Sequence, residues 1–305
     1  MKTMKRSISR SLFRGLWTVP FCISALGMLA TSVQAQLFYV SLPNSNTVGE
    51  YNAGGAAIDA DLIRTGLNVP VWIAVSGSTL FVANTASGTI GTYDASTGIP
   101  INADFIRGAS GPLAVSGNTL FVAGGGSSPG AGRVGAYNAS TGAVINANFV
   151  TGLTAPGTIA VSGNTLFVTC NGSGLPSSTL SGVVSAYNAT TGAVISANFI
   201  TGLSNPQGLA VSGNNLFVAD AGTKTISQYD ATTGAVINAA FITGLSNPQA
   251  LAVSGTDLFV ANNVANGMVS RYNAITGASI DANFISGLNG PTGLAVESDC
   301  GCWPL

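Results

Sequence analysis

The chain has 305 residues, 46% apolar and only 7% charged, with 40 glycines, four cysteines and no histidine. That apolar fraction is enough for a buried core and excludes a disordered chain, while the absence of histidine excludes the usual acid–base group near neutral pH. Five of the ten basic residues lie in the first 35 positions, so five basic against eleven acidic residues remain beyond them, a net charge of −6. Arg64, Arg107, Arg133, Lys224 and Arg271 are too few and too scattered for a nucleic-acid groove or an anionic membrane surface.

Residues 1–35 read as a secretory signal peptide. Lys2, Lys5, Arg6, Arg10 and Arg14 form a basic start, the apolar run from Leu16 to Ala30 follows, and Ser32–Ala35 (SVQA) is a small-residue cleavage site. The run is short of the ~20 residues that a spanning helix needs. The expected localisation is therefore secreted, extracellular or periplasmic, with no membrane insertion once the leader is cleaved. Cys170, Cys300 and Cys302 remain beyond it. An odd count, with one residue between the last two, reads as incidental thiols and makes a poor metal set without histidine.

From residue 37 onward the chain repeats. Prolines at 70, 112, 156, 206, 248 and 291 are spaced by 42, 44, 50, 42 and 43 residues. Each interval holds four short β-branched or aromatic runs, read as strands A to D. In the fifth unit these are Gly208–Ser212, Asn215–Ala219, Thr225–Tyr229 and Ala235–Ile242. The A–B turns carry Ser-Gly-Asn or its variants, where glycine permits a tight hairpin. The C–D turns carry Asp/Asn-Ala-Ser/Thr-Thr-Gly, an Asx-turn closed by glycine. Asn138 and Asn188 match glycosylation sequons, but their recurrence at this turn assigns them to hairpin chemistry.

Four-stranded units of this length predict propeller blades. The first unit has B (37–40), C (47–51) and D (57–63) without an A, and residues 292–297 are an A strand standing alone. The fold class is therefore all-β, a six-bladed β-propeller in which C-terminal strand 292–297 joins N-terminal strands 37–63. Residues 36–297 form the propeller and 298–305 a short tail. Closing the ring buries internal blade faces that one blade alone would expose. The six tyrosines at 51, 93, 137, 187, 229 and 272 are expected as an aromatic layer between blades.

Gly208–Val211 (GLAV), Leu216–Asp220 (LFVAD) and Thr225–Asp230 (TISQYD) resemble the NHL repeat, and the similarity runs from residue 37 to 297. It departs before strand C, where Thr223-Lys224 or Ser87-Gly88 stands in place of the family's Asn-Arg. The chain is also similar to secreted bacterial propellers with a C-terminal Pro-Glu-Pro sorting signal, a motif not present in its ending. Among secreted six-bladed propellers the resemblance implies two enzyme classes, metal-dependent lactonases of the gluconolactonase type and the histidine-dependent virginiamycin B lyases. The second is excluded by composition. For the first, the two glutamates are weak candidates: Glu50 sits at a variable strand C position read as solvent-facing, and Glu297 begins the tail.

No catalytic and no metal-ligating residue is therefore assigned, and no cofactor is expected. The strand D pairs Asp59/Asp61, Asn102/Asp104, Asn146/Asn148, Ser196/Asn198 and Asp281/Asn283 offer oxygens on one face that would suit Ca2+, but polar residues on an outermost strand are better explained as edge protection. The expected function is a secreted, non-catalytic binding or scaffold module, monomeric, whose partner is a glycan or protein surface, with the lactonase as the alternative. The A–B and C–D turns form one nearly uniform face. The B–C and D–A connections form the other, with long B–C loops at 124–133 and 170–182. Trp72, Arg133, Asn171, Gln207, Asp220 and Gln249 on or beside those connections are the candidate binding residues.

Overall fold

The computed structural model describes residues 36–297 except 126, 127, 129 and 172–181. Residues 1–35, read above as a leader, the tail with Cys300 and Cys302, and most of the second long B–C loop lie outside the described residues. Blade 1 comprises β1 (Phe38–Leu42), β2 (Thr47–Tyr51) and β3 (Ala57–Ile63). Blade 2 is β4 (Pro70–Ser76), β5 (Thr79–Asn84), β6 (Thr89–Asp94) and β7 (Pro100–Arg107), and blade 3 is β8 (Leu113–Ser116), β9 (Thr119–Gly125), β10 (Gly132–Asn138) and β11 (Val144–Leu153). Blade 4 is β12 (Pro156–Ser162), β13 (Thr165–Cys170), β14 (Gly182–Asn188) and β15 (Val194–Leu203). Blade 5 is β16 (Pro206–Ser212), β17 (Asn215–Asp220), β18 (Thr225–Asp230) and β19 (Val236–Ile242), and blade 6 is β20 (Pro248–Ser254), β21 (Asp257–Asn262), β22 (Gly267–Asn273) and β23 (Ser279–Leu288). Finally β24 (Gly293–Val296) returns to β1, so the sheet order of blade 1 is β24-β1-β2-β3. The chain is a six-bladed β-propeller closed as the repeat count requires. Among the described residues no helix is long and apolar enough to cross a membrane.

The turn chemistry follows from the repeated residues. Asn138 and Asn188 each accept hydrogen bonds from the backbone N–H groups two and three residues on, at 2.9–3.0 Å. Asp94 does the same with Ser96 and Thr97 and also accepts from their hydroxyls. Burial alone would raise the Asp94 pKa, but these hydrogen bonds outweigh it and hold the carboxyl below its ordinary value. The closing glycine has a second reason to be glycine. At Gly192, with φ at 75°, an added Cβ would lie 2.1 Å from the Phe149 carbonyl oxygen of the preceding blade. The turn is therefore both a local bend and a blade-to-blade contact.

The core is divided into six apolar clusters, one at each seam between neighbouring blades. Each tyrosine of the strand C series takes its place at a seam, as the aromatic-layer reading expects. Tyr93, for example, packs with Val48 and Ile63 of blade 1, and its hydroxyl donates to the Gly66 carbonyl at 2.7 Å. Burial pushes its pKa up, which keeps the hydroxyl a donor.

One reading is corrected and another is extended. Glu50 is not solvent-facing but 1% exposed, and its counterparts Thr92, Ala136, Ala186 and Gln228 are buried as well. Blades stack face to face, so both sides of strand C are covered at this position. The polar pairs of that outermost strand do more than guard an edge. Asp59, Asn102, Asn146 and Asp281 each accept the N–H two residues on, at 2.9–3.1 Å. These bonds brace register shifts in the C–D ladder, where strand D bends away. The outer strand also exposes apolar residues, such as Val144 and Val194 at its start.

Candidate functional site

The innermost strands converge on an axial channel. On the B–C and D–A side its mouth is lined by Trp72, Pro112, Thr158, Gln249 and Thr292. One step inward stand Ile73, Leu113, Ile159, Leu209, Leu251 and Leu294, one from each blade and each at most 8% exposed. This ring arises because every A strand places a leucine or isoleucine at the same register. Hydroxyls stitch the mouth together between blades: Thr158 donates to the Gln207 carbonyl, and Thr292 and Ser41 to the Val71 carbonyl at 3.0 and 2.7 Å. Among the described residues that line the mouth and the ring below it, no side chain is charged.

The candidate residues divide between distinct parts of this rim. Trp72 lies on β4 and forms a wall shared by the axial mouth and a second cavity over blade 3, and Arg133 lines that second cavity. Arg133 is exposed and belongs to the start of β10, not to the preceding loop. Gln249 shares the axial mouth with Trp72, and Gln249 and Gln207 are second residues of β20 and β16, not loop residues. Their side-chain amides donate to Asn247 and Asn205, two residues earlier in each case, at 3.1 and 2.7 Å. Asn171 follows β13, and its N–H donates to the Ala155 carbonyl at 3.1 Å.

Asp220, 3% exposed at the end of β17, has structural partners. Its carboxylate accepts the N–H groups of Ser204 and Asn205 from the D–A connection at 2.7 and 2.9 Å. It also accepts those of Gly222 and Thr223 from the B–C loop, at 3.0 and 3.2 Å. One side chain thus ties the two connections of blade 5 together. Asn84 stands at the same place in blade 2 and accepts the Asn68 N–H at 3.1 Å. Strain is also found on this rim: Val69 and Ala155, each just before the proline of a D–A connection, have φ of 55° and 44°.

The cavity over blade 3 has a volume of about 340 Å³. Sequence reasoning looked for side chains that stand out and missed it, because it exists where side chains are small. The column that reads Leu67, Leu153, Leu203, Leu245 and Leu288 in other connections holds Ala109, and the column of Leu42, Asn84, Cys170, Asp220 and Asn262 holds Gly124. The signal lay in the repeat's exceptions.

The sequence model of the family described as outer membrane protein assembly factor BamB matches residues 180–280. No curated protein matches the sequence. Among solved structures, a chain of a nidogen/laminin complex superposes with a TM-score of 0.69 at 15% identity, covering 86% of this chain and 98% of that one. The calcium-binding protein regucalcin from Agrobacterium tumefaciens strain C58 superposes with a TM-score of 0.59 at 16% identity, covering 77% and 80%. At these identities the likeness is one of fold.

Proposed function

We propose that the chain is a secreted, non-catalytic binding propeller that engages a glycan or protein surface through its B–C and D–A rim. The observation that carries this reading is the contrast between a regular frame and an irregular rim. The A–B and C–D turns repeat almost without change, whereas the long loops, the strained D–A residues and the cavity over blade 3 all lie on the other side. The channel, where propeller hydrolases of the gluconolactonase type hold a divalent ion, presents here a ring of leucine and isoleucine side chains. Such a lining binds no cation. A propeller of this fold taken from a nidogen/laminin complex is a precedent for work done through a surface. Secretion rests on the leader in residues 1–35, the module acts as a monomer, and calcium has no part in this reading.

The test is a binding screen of residues 36–305 on an array of neutral and acidic polysaccharides. A variant in which 125–131 and 172–180 are cut to the length of the blade 5 loop is screened in parallel. Because loop length costs little closure entropy, the variant is expected to melt at the same temperature and to lose the binding. Binding of unchanged strength by the trimmed protein would assign the activity elsewhere.

A further inference from the structure

Blade 5 shows what the rim does with a carboxylate. The Asp220 side chain fills a nest of four backbone N–H groups, two from each connection. In blade 3 the same column is Gly124, and an added Cβ there would meet nothing within 4 Å, so the space that the acid occupies in blade 5 stands open. The D–A connection beside it is present. In that connection, two residues shorter than the one of blade 5, the Ser110 and Gly111 N–H groups line the cavity and make no hydrogen bond among the described residues. The open space is part of the cavity of about 340 Å³ that Trp72 and Tyr137 also line.

A cation stands beside the gap. Arg133 is the cross-strand partner of Gly124, so its side chain leaves the sheet on the face where the acid would be. The corresponding partner of Asp220 is Thr225. Arg64, Arg107 and Arg271 are ion-paired with Asp59, Asp104 and Asp257, whereas Arg133 has no acidic partner among the described residues. In this column, filled by Leu42, Asn84, Cys170, Asp220 and Asn262 in the other blades, the one glycine faces an exposed guanidinium across the ladder.

We propose that this cavity binds a carboxylate-bearing sugar of monosaccharide size, a uronic acid, whose carboxylate takes the place that the Asp220 carboxylate holds in blade 5. The guanidinium pairs with the carboxylate, the free amides complete its hydrogen bonding, and Trp72 supplies an apolar wall for the ring. The volume lies at the lower end of the ~300–1,000 Å³ range of small-molecule sites. The proposal rests on the reading of this rim as the binding face and names its ligand chemistry.

Calorimetric titration of residues 36–305 with sodium glucuronate, and with glucose as the uncharged control, tests it. Glucuronate is expected to bind at least about tenfold more tightly than glucose, the scale of one charge-assisted contact. Arg133→Gln should remove that preference. Gly124→Asp should place a carboxylate beside Arg133, abolish glucuronate binding, and leave the melting temperature unchanged or raised. The inference is overturned if glucose binds as well as glucuronate, if the unmodified protein binds neither, or if both variants bind glucuronate as before. Those results leave the loop-trimming outcome untouched, since it reads the rim with other probes.

Discussion

Deletion of residues 292–305 is expected to yield a chain that aggregates or melts far below the parent. The strand removed, β24, pairs Val296, Ala295, Leu294 and Gly293 with Phe38, Tyr39, Val40 and Ser41. Ser41 accepts the Gly293 N–H at 2.8 Å and passes a hydrogen bond to the Val71 carbonyl of blade 2, so the closing strand also ties blade 1 to its neighbour. Leu294 is 8% exposed within the cluster shared with blade 6. Loss of the strand exposes this apolar surface and leaves β1 as an open edge. Burial of a leucine or valine contributes about 1.5–3 kcal/mol. Three such side chains, two large and one small, with their ladder therefore approach the ~5–15 kcal/mol that holds a typical domain together. Removal of 298–305 alone is the control and is expected to be neutral. A thermal melt of the longer deletion coincident with that of the parent would contradict the shared blade.

The second large effect is expected at the seam between blades 6 and 1. Blades 2 to 6 each bring a strand B phenylalanine against a strand D phenylalanine, with ring centroids 5.1–5.9 Å apart. At the seam Phe38 enters as a third ring, 4.5 Å from Phe259 and 5.2 Å from Phe284. The other blades have leucine in that column, at 80, 120, 166, 216 and 258. Phe259→Ala removes a side chain that is 1% exposed and breaks two ring contacts at once. The expected loss is about 3–5 kcal/mol from cavity formation. It should exceed that of Phe217→Ala by the ~0.5–1.5 kcal/mol of an additional aromatic pair. Urea denaturation of the two variants measures the difference. Equal losses would show that the third ring adds no strength to the closure.

The architecture was legible because the repeat states each rule several times. The bounds of β2 and β3, the Asx side chains at 94, 138 and 188, and the pairing of β24 with β1 all follow from runs of residues that recur in register. Burial was harder to read where identity varies. The strand C column holds Glu50, Thr92, Ala136, Ala186, Gln228 and Arg271, a mixture that resembles a surface position, yet the neighbouring blade covers most of it. Asp220 stood out as an acid beside a loop, and only coordinates reveal that four amides occupy it. The cavity over blade 3 was hidden for the opposite reason. It depends on what Ala109 and Gly124 do not contribute, and the neighbours of a missing side chain are set by blade packing across long sequence separations.

The central claim is that the rim binds and the channel does not catalyse. It is tested most directly by the rate of glucono-δ-lactone hydrolysis with purified residues 36–305, with and without added Ca2+. The apolar ring formed by Ile73, Leu113, Ile159, Leu209, Leu251 and Leu294 predicts a rate equal to that of buffer under both conditions. A calcium-dependent acceleration proportional to protein concentration and abolished by a chelator would contradict the account and make the channel the working site.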